Sequence, residues 1–171
     1  MHLTKNIYLT GFMGTGKTAA GRIVAGRLGV PFLDTDAGLE KKLGKTISQI
    51  FSRKGEEFFR NAEAAFIRST LQLPPQVIAL GGGAVLKPGN RDVLRSGIWI
   101  NLKADPALIL KRVSGKKTRP LLGGKVTREK IEEMLKGRLP FYRLAPHQID
   151  TGQFSADAVA DDILKIIRKK S

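Results

Sequence analysis

The chain has 171 residues, 42% of them hydrophobic and 6% aromatic, which is typical of a single soluble globular domain with a buried core. It contains no cysteine, which excludes disulfides, thiol nucleophiles and thiolate metal sites, and no apolar run approaches the ~18 residues of a membrane span. The formal net charge of +15 favours an anionic partner.

Apolar runs and helical periodicities alternate along the chain. Strands are predicted at about 6–10, 31–34, 76–80, 97–102 and 147–150. Helices are predicted at about 17–28, 36–43, 55–71, 105–113, 127–138 and 155–169. Thr46 would cap a further short helix over 47–51, and Pro140 should end the helix that carries Arg138. This alternation predicts an α/β domain with a parallel sheet between two layers of helices.

The first strand leads directly into a glycine-rich segment and then a helix. The segment reads Gly11-Phe12-Met13-Gly14-Thr15-Gly16-Lys17-Thr18, which is the phosphate-binding P-loop pattern G-x-x-x-x-G-K-[ST] in the context it requires. Its glycines allow backbone N–H groups to turn around a phosphate, and the following helix adds the positive end of its dipole. Lys17 would reach the β- and γ-phosphates, and the Thr18 hydroxyl would ligate Mg²⁺. The alternative is a turn that binds nothing.

Two carboxylates follow the second predicted strand, in Asp34-Thr35-Asp36. Ligands of open parallel sheets bind at the carboxyl ends of the strands. One carboxylate could hold Mg²⁺, directly or through water, while the other accepts a proton from an attacking hydroxyl. The alternative is an ordinary helix N-cap, because Asp36 opens the next helical stretch.

Arg60 and Glu63 are spaced i and i+3 on a predicted helix, so they can share one face. The guanidinium could bind a substrate carboxylate at two points while Glu63 holds it in place. Spacing alone leaves open the alternative of a surface ion pair of small energetic value.

Three glycines, Gly81, Gly82 and Gly83, end the third predicted strand, where a ligand could approach the backbone closely. The alternative there is a flexible turn. Residues 114–126 are glycine-rich, basic and non-periodic, which predicts a functional loop such as a lid. The stretch from Lys111 to Arg143 carries eleven Lys or Arg against three Asp or Glu, a basic cluster suited to ATP and a second anionic substrate.

From its first strand to Arg143 the chain carries six motifs in this order: GFMGTGKT, LDTD, FFRNAE, LGGGA, TRPLL and GRLPFYR. In their order and spacing they resemble those of the shikimate kinase family. The resemblance implies transfer of the γ-phosphoryl group of ATP to the 3-hydroxyl of shikimate, on the pathway to chorismate and the aromatic amino acids, with Mg²⁺ as cofactor. It also implies a nucleoside-monophosphate-kinase-like P-loop fold: one domain over 1–171 with a five-stranded parallel sheet, a substrate-binding region at about 34–63 and a mobile lid at about 113–126.

The resemblance also assigns roles by position within these motifs. The catalytic residues would be Lys17, Asp36 and Arg119, the last closing over the phosphates from the lid. ATP would be bound by Gly14, Thr15, Gly16, Lys17, Thr18, Ala19, Arg112, Arg119 and Gln153, with Arg112 stacked on adenine and Gln153 near it. Shikimate would be bound by Asp36, Arg60, Gly81, Gly82, Gly83 and Arg138, the two arginines clamping its carboxylate while Glu63 orients that region. Mg²⁺ would be held by Thr18 and, through water, by Asp34.

Two alternatives remain open. One is a kinase of the same fold for another small molecule, such as gluconate or a nucleoside monophosphate. The other is a non-catalytic module that binds nucleotide or nucleic acid through the charge of +15. We expect neither, and predict a cytoplasmic monomer without nucleic-acid or membrane partners, because no signal-peptide segment and no long exposed apolar heptad is visible.

Overall fold

A computed structural model describes residues 3–114 and 126–169. Its five strands form one fully parallel sheet in the order β2-β3-β1-β4-β5. The strands are β1 Ile7–Thr10, β2 Phe32–Asp34, β3 Val77–Ala79, β4 Ile98–Lys103 and β5 His147–Asp150. The helices are α1 Lys17–Leu28, α2 Thr35–Leu43, α3 Ile47–Ser69, α4 Pro88–Arg95, α5 Pro106–Val113, α6 Arg128–Tyr142 and α7 Ala156–Arg168.

Successive residues of β1 pack into two separate cores, as expected for a strand covered on both faces. Ile7 and Leu9 join the core formed with α1 and α7. Tyr8 joins the core on the other face, formed with α3, α4, α5 and α6. The predicted three-layer α/β/α architecture is therefore confirmed.

The topology places the P-loop at the centre of the sheet. From β1 the chain adds β2 and β3 on one side and β4 and β5 on the other. The carboxyl end of β1 is therefore the point where the winding reverses, which is the usual ligand site of an open parallel sheet.

Two expectations about the helices are wrong. The helix carrying Arg138 continues past Pro140 to Tyr142, because the Arg143 N–H donates to the Leu139 carbonyl at 3.0 Å and closes the last turn. A proline so near the end costs only one internal hydrogen bond. The second error is the omission of α4, whose one available signal was Pro88 at its first turn.

Helix α3 covers two predicted helices, 47–51 and 55–71. Its axis is interrupted at Gly55, where φ is +81°. The predicted cap at Thr46 is confirmed as a full capping box, in which the Thr46 hydroxyl accepts from the Gln49 N–H. None of the helices in 3–114 and 126–169 combines the length and hydrophobicity needed to cross a bilayer.

Candidate active site

The P-loop leads from β1 to the N-terminus of α1. Gly11, Gly14 and Gly16 have φ values of +139°, +77° and +93°, a region that side chains disfavour. Lys17 folds back over the loop, and its Nζ donates to the carbonyls of Gly11 and Phe12 at 2.8 and 2.9 Å. The loop backbone therefore fixes the position of the ammonium group at the mouth of a helix N-terminus.

Two of the residues predicted to bind ATP, Thr15 and Ala19, differ in solvent exposure. Thr15 is fully buried, and its hydroxyl donates to the Phe12 carbonyl at 2.8 Å, which makes it part of the loop framework. Ala19, in the first turn of α1, is exposed. The N–H groups of the first turn have no partner within the helix, so they are available to an anion.

Asp34 and Thr18 meet at the carboxyl ends of β2 and β1. The Thr18 hydroxyl donates to Asp34 Oδ2 at 2.8 Å. The other oxygen, Oδ1, accepts from the N–H groups of Asp36 and Ala37 and so caps α2. The helix cap that sequence alone allowed for Asp36 therefore belongs to Asp34, and α2 begins at Thr35.

The three glycines after β3 lie against the charged side chains predicted to bind the acceptor. A Cβ at Gly81 would lie 2.6 Å from Asp36 Oδ1 and 2.9 Å from Glu63 Oε1. A Cβ at Gly83 would overlap the Arg60 guanidinium, with Nη1 at 2.6 Å. Because these glycines have no side chains, the carboxylates of Asp36 and Glu63 and the guanidinium of Arg60 can pack against the same segment.

Gly82, the middle glycine, faces α6 and the P-loop. A Cβ there would lie 3.3 Å from Arg138 Nη1 and 3.6 Å from the Gly11 carbonyl. The Gly81 N–H donates to Thr35 Oγ1 at 3.0 Å, which anchors the segment to α2. These three glycines, Gly81, Gly82 and Gly83, are called the glycine triad below. They connect the charged side chains predicted to bind the phosphoryl acceptor with the start of the P-loop.

Arg60 and Glu63 form a largely buried ion pair, not a surface one. Arg60 Nη1 donates to Glu63 Oε2 at 2.8 Å, and their side chains are 15% and 2% exposed. Burial raises the pKa of Glu63 to about 7, with Asp36 raising it further and Arg60 and Arg138 opposing the rise. Burial lowers the pKa of Arg60, but attraction by Glu63 and Glu56 more than offsets this. Glu63 Oε1 is buried beside Gly81 and has no hydrogen-bond partner among the residues that the structure describes.

Arg138 reaches the same place from α6. It is 8% exposed, and its guanidinium lies over the Phe12 ring, 5.5 Å from the centroid. One turn later, the Tyr142 hydroxyl donates to the Gly82 carbonyl at 2.5 Å. Burial raises the pKa of Tyr142 to about 12, so this hydroxyl remains a donor. Sequence reasoning missed Tyr142, although its i+4 spacing from Arg138 places both on one helix face.

Arg112 lies on the other side of the P-loop, beside a cavity of about 190 Å³. Its guanidinium donates to the carbonyls of Gly14 and Gly152 at 3.2 and 2.8 Å and to Thr151 Oγ1 at 3.2 Å. Gln153 is exposed and does not line this cavity, whereas Phe154 does. The predicted lid residue Arg119 lies outside the described residues, as does most of the predicted lid.

Comparisons with known proteins identify relatives over almost the whole chain. The family model described as "Shikimate kinase" matches residues 13–168. A shikimate kinase from Pelotomaculum thermopropionicum is 48% identical over 166 residues, 96% of each chain. The structure of a shikimate kinase from Acinetobacter baumannii in complex with shikimate is 40% identical, with a TM-score of 0.93 over 98% of this chain and 94% of that one. A shikimate kinase structure from Bacteroides thetaiotaomicron is 29% identical, with a TM-score of 0.89 over 96% and 98%.

Proposed function

Because the chain belongs to the shikimate kinase family and carries out its reaction, the ATP-dependent phosphorylation of shikimate in aromatic amino acid biosynthesis, we propose roles for its residues from the site geometry. One observation carries the proposal: Gly82 lies close to both the Arg138 guanidinium and the Gly11 carbonyl, and that carbonyl accepts from Lys17. An acceptor bound at the glycine triad therefore lies beside the phosphates held by the P-loop.

The ATP phosphates bind at the P-loop and the N-terminus of α1. Backbone N–H groups of Gly14, Gly16 and Ala19 face them, and Lys17 supplies a positive charge to the transferring group. The Thr15 hydroxyl stabilises the loop conformation by donating to the Phe12 carbonyl. Arg119 of the predicted lid would add a second charge over the phosphates.

Mg²⁺ would be held by Thr18 and, through water, by Asp34. Their oxygens are 2.8 Å apart and both are hard ligands, which suits this cation. Asp34 is held in place because its other oxygen caps α2. Mg²⁺ normally takes one or two protein ligands and completes its shell with water and phosphate, so a larger acidic cluster is not required. When bound, the cation neutralises charge on the β- and γ-phosphates.

Shikimate binds with its carboxylate between Arg60 and Arg138 and its ring against the glycine triad. The two guanidinium groups come from α3 and α6 and are both largely buried, which strengthens their attraction for an anion. Glu63 fixes the orientation of Arg60. Asp36, which lies next to Gly81, accepts the proton of the 3-hydroxyl as that oxygen attacks the γ-phosphorus.

Phosphoryl transfer depends mainly on alignment and on stabilisation of developing charge. With the carboxylate held by the two arginines, the opposite edge of the ring faces the P-loop. The positive charge near the site then binds two anionic substrates, so it does not require a nucleic-acid or membrane partner. We propose that the protein is a cytoplasmic monomer that binds neither.

The test is release of ADP from Mg·ATP in the presence of shikimate, quinate or gluconate. We expect strong stimulation by shikimate alone and its loss in Asp36→Asn, which keeps the shape of the side chain but cannot take the proton. The exposed Asp92→Asn on α4 is the matched control and should behave as the wild type. Equal stimulation by gluconate, or full activity of Asp36→Asn, would contradict these roles.

A further inference from the structure

Tyr142, the last residue of α6, is a buried tyrosine whose hydroxyl lies inside the proposed acceptor site. It is 3% exposed, and its hydroxyl donates to the Gly82 carbonyl at 2.5 Å. Arg138 lies one turn earlier on the same face of the helix. We propose that Tyr142 is a positioning residue, which holds the Arg138 guanidinium and the Gly82 peptide group in place for the carboxylate of the acceptor. This inference rests on the proposed role of Arg138 as a ligand of that carboxylate.

The tyrosine hydroxyl and the Arg138 guanidinium converge on Gly82, the middle residue of the glycine triad. A Cβ at Gly82 would lie 3.3 Å from Arg138 Nη1 and 3.5 Å from the Tyr142 hydroxyl oxygen. Burial raises the pKa of Tyr142, whereas the charge of Arg138, a hydrogen bond from its guanidinium and the charge of Arg60 oppose the rise. The hydroxyl oxygen is therefore close enough to both proposed carboxylate ligands to be influenced by their charges.

The hydroxyl of Tyr142 has a single proton, and the Gly82 carbonyl receives it. An ionised carboxylate accepts hydrogen bonds but donates none, so this hydroxyl has no proton left with which to bind the substrate. Its oxygen can still accept from one N–H of the Arg138 guanidinium, which leaves the other N–H groups of that planar fork for the carboxylate. Tyr142 therefore acts on the acceptor through Arg138 and not by direct contact.

The two arginines are held by groups of different charge. Arg60 is paired with two carboxylates, those of Glu63 at 2.8 Å and Glu56 at 3.3 Å. Among residues 3–114 and 126–169, no carboxylate lies within ion-pair distance of Arg138. The neutral hydroxyl of Tyr142 orients this guanidinium without cancelling its charge. The charge of Arg138 is then available to the acceptor carboxylate, where a charge-assisted bond is strong.

The main chain of Tyr142 is fixed from the sheet. Gln148 Nε2, in β5, donates to the carbonyls of Tyr142 and Ala145 at 2.9 and 3.0 Å. Gln148 Oε1 accepts from Asn101 Nδ2, in β4, at 2.8 Å. The sheet thus holds the end of α6, and the tyrosine hydroxyl connects that helix to the glycine triad. A residue bonded at both its carbonyl and its hydroxyl has little freedom to move, which is what positioning a ligand requires.

Removal of the hydroxyl should weaken binding of the acceptor without slowing the chemical step. Tyr142→Phe keeps the ring, but the Gly82 carbonyl loses its donor and the Arg138 guanidinium loses its acceptor. The carboxylate is bound away from the transferring phosphoryl group, so its binding contributes equally to the ground state and the transition state. We therefore expect KM for shikimate to rise about tenfold, in the range of one hydrogen bond to a charged group. By the same argument kcat should stay within about threefold of the wild type, and KM for ATP should not change.

Tyr8→Phe is the matched control, because it makes the same substitution elsewhere in the same core. Tyr8 is fully buried, and its hydroxyl accepts from Asn6 Nδ2 at 3.1 Å and lies 3.3 Å from Thr70 Oγ1. None of these partners belongs to the proposed site. Tyr8→Phe should therefore lower the temperature of unfolding about as much as Tyr142→Phe does, and leave both KM values unchanged.

The experiment combines steady-state kinetics for shikimate and ATP with calorimetric titration of shikimate into the full chain without nucleotide. Thermal unfolding of each variant accompanies both measurements. Tyr142→Phe should weaken shikimate binding in the titration by about the tenfold seen in KM. The proposal is overturned if Tyr142→Phe binds shikimate as tightly as the wild type, if its kcat falls as much as KM rises, or if Tyr8→Phe raises KM for shikimate equally.

Arg138→Gln separates this inference from the role on which it rests. An unchanged affinity for shikimate in Arg138→Gln would contradict the proposed role of Arg138 and, with it, the inference. If Arg138→Gln loses affinity for shikimate while Tyr142→Phe retains it, the carboxylate is bound as proposed and only the positioning role of Tyr142 is overturned.

Discussion

The two halves of the proposed site differ in the groups that form them: backbone groups on the phosphate side and charged side chains on the acceptor side. The proposed phosphate side is a contiguous loop, residues 11–18, in which backbone groups and three glycines with positive φ would form the binding surface. The proposed acceptor side consists of buried and half-buried charged side chains contributed by α2, α3 and α6, which meet over the glycine triad. A site made of backbone depends on local conformation, whereas a site made of side chains depends on how distant elements pack. Each half should therefore fail in its own way.

The largest expected effect comes from Lys17→Ala on the phosphate side. Loss of this charge near the transferring phosphoryl group should lower kcat by about 10²- to 10³-fold, as removal of one preorganised stabilising group does elsewhere. Shikimate binding measured without nucleotide should change far less than kcat, because the Lys17 ammonium is held by the loop carbonyls of Gly11 and Phe12. The measurement is steady-state kinetics combined with titration of shikimate, with the exposed Lys5→Ala as control. A parallel loss of shikimate affinity would show that the halves are not independent.

The next effect is that of Arg60→Ala on the acceptor side. Truncating one member of a buried charge pair costs about 2–5 kcal/mol in comparable interfaces, so KM for shikimate should rise by about 30-fold or more. KM for ATP should stay close to that of the wild type. The control is Arg53→Ala, an exposed arginine on the same helix. Equal losses for both substrates would make Arg60 a structural residue and not a ligand of the carboxylate.

A smaller effect should separate two glycines that undergo the same chemical change. Gly83→Ala keeps an allowed backbone, with φ at −95°, but its Cβ displaces the Arg60 guanidinium. Because that guanidinium is the end of a flexible side chain, the fold should survive while KM for shikimate rises about tenfold, equivalent to ~1.4 kcal/mol.

Gly26→Ala is the matched comparison, since the residue lies inside α1 and a Cβ there meets no atom of residues 3–114 and 126–169 within 4 Å. It should raise the free energy of unfolding by about 0.5–1 kcal/mol through helix propensity and leave the kinetics unchanged. Thermal unfolding and shikimate kinetics of both variants provide the measurement. If Gly83→Ala has wild-type KM, the close approach of Arg60 is not needed for binding.

The same contrast explains what could be predicted from the sequence. The P-loop was predictable because its pattern is contiguous and lies between an apolar strand and a helix. The sheet was predictable because its strands are apolar and bounded by turn residues. The residues that bind the phosphoryl acceptor were predicted from the family resemblance. Spacing alone did not decide whether Arg60 and Glu63 form a substrate-binding pair or a surface ion pair.

What could not be predicted depended on packing between distant elements. Burial of Glu63 to 2% exposure results from its contact with the glycine triad, 18 or more residues further along the chain. The bond from Tyr142 to the Gly82 carbonyl joins two segments whose meeting no local pattern indicates. Helix α4 was missed because Gly89 and Asn90 in its first turn are typical of loops.

The last prediction concerns the energetic cost of building the acceptor side from buried charge. Burial raises the folded-state pKa of Glu63 to about 7 from an ordinary value of 4.5. Between these two pH values the folded state holds a proton that the unfolded state has released, so stability should fall as pH rises through this window, by at most ~1.4 kcal/mol per pH unit from this group. Above pH of about 7 the contribution should be level.

Glu63→Gln removes this titration and should flatten the fall, as measured by denaturant unfolding at intervals from pH 4.5 to 8. Glu56→Gln is the control, because Glu56 also bonds Arg60 but its side chain is 60% exposed, so its pH profile should run parallel to that of the wild type. Both glutamates bond Arg60, but only Glu63 is buried. The difference between the pH profiles of the two variants therefore reports the effect of burial and not of the ion pair. Parallel profiles for all three proteins would mean that Glu63 stays ionised throughout, so that Arg60 and Arg138 fully offset its burial and the acceptor side carries no such cost.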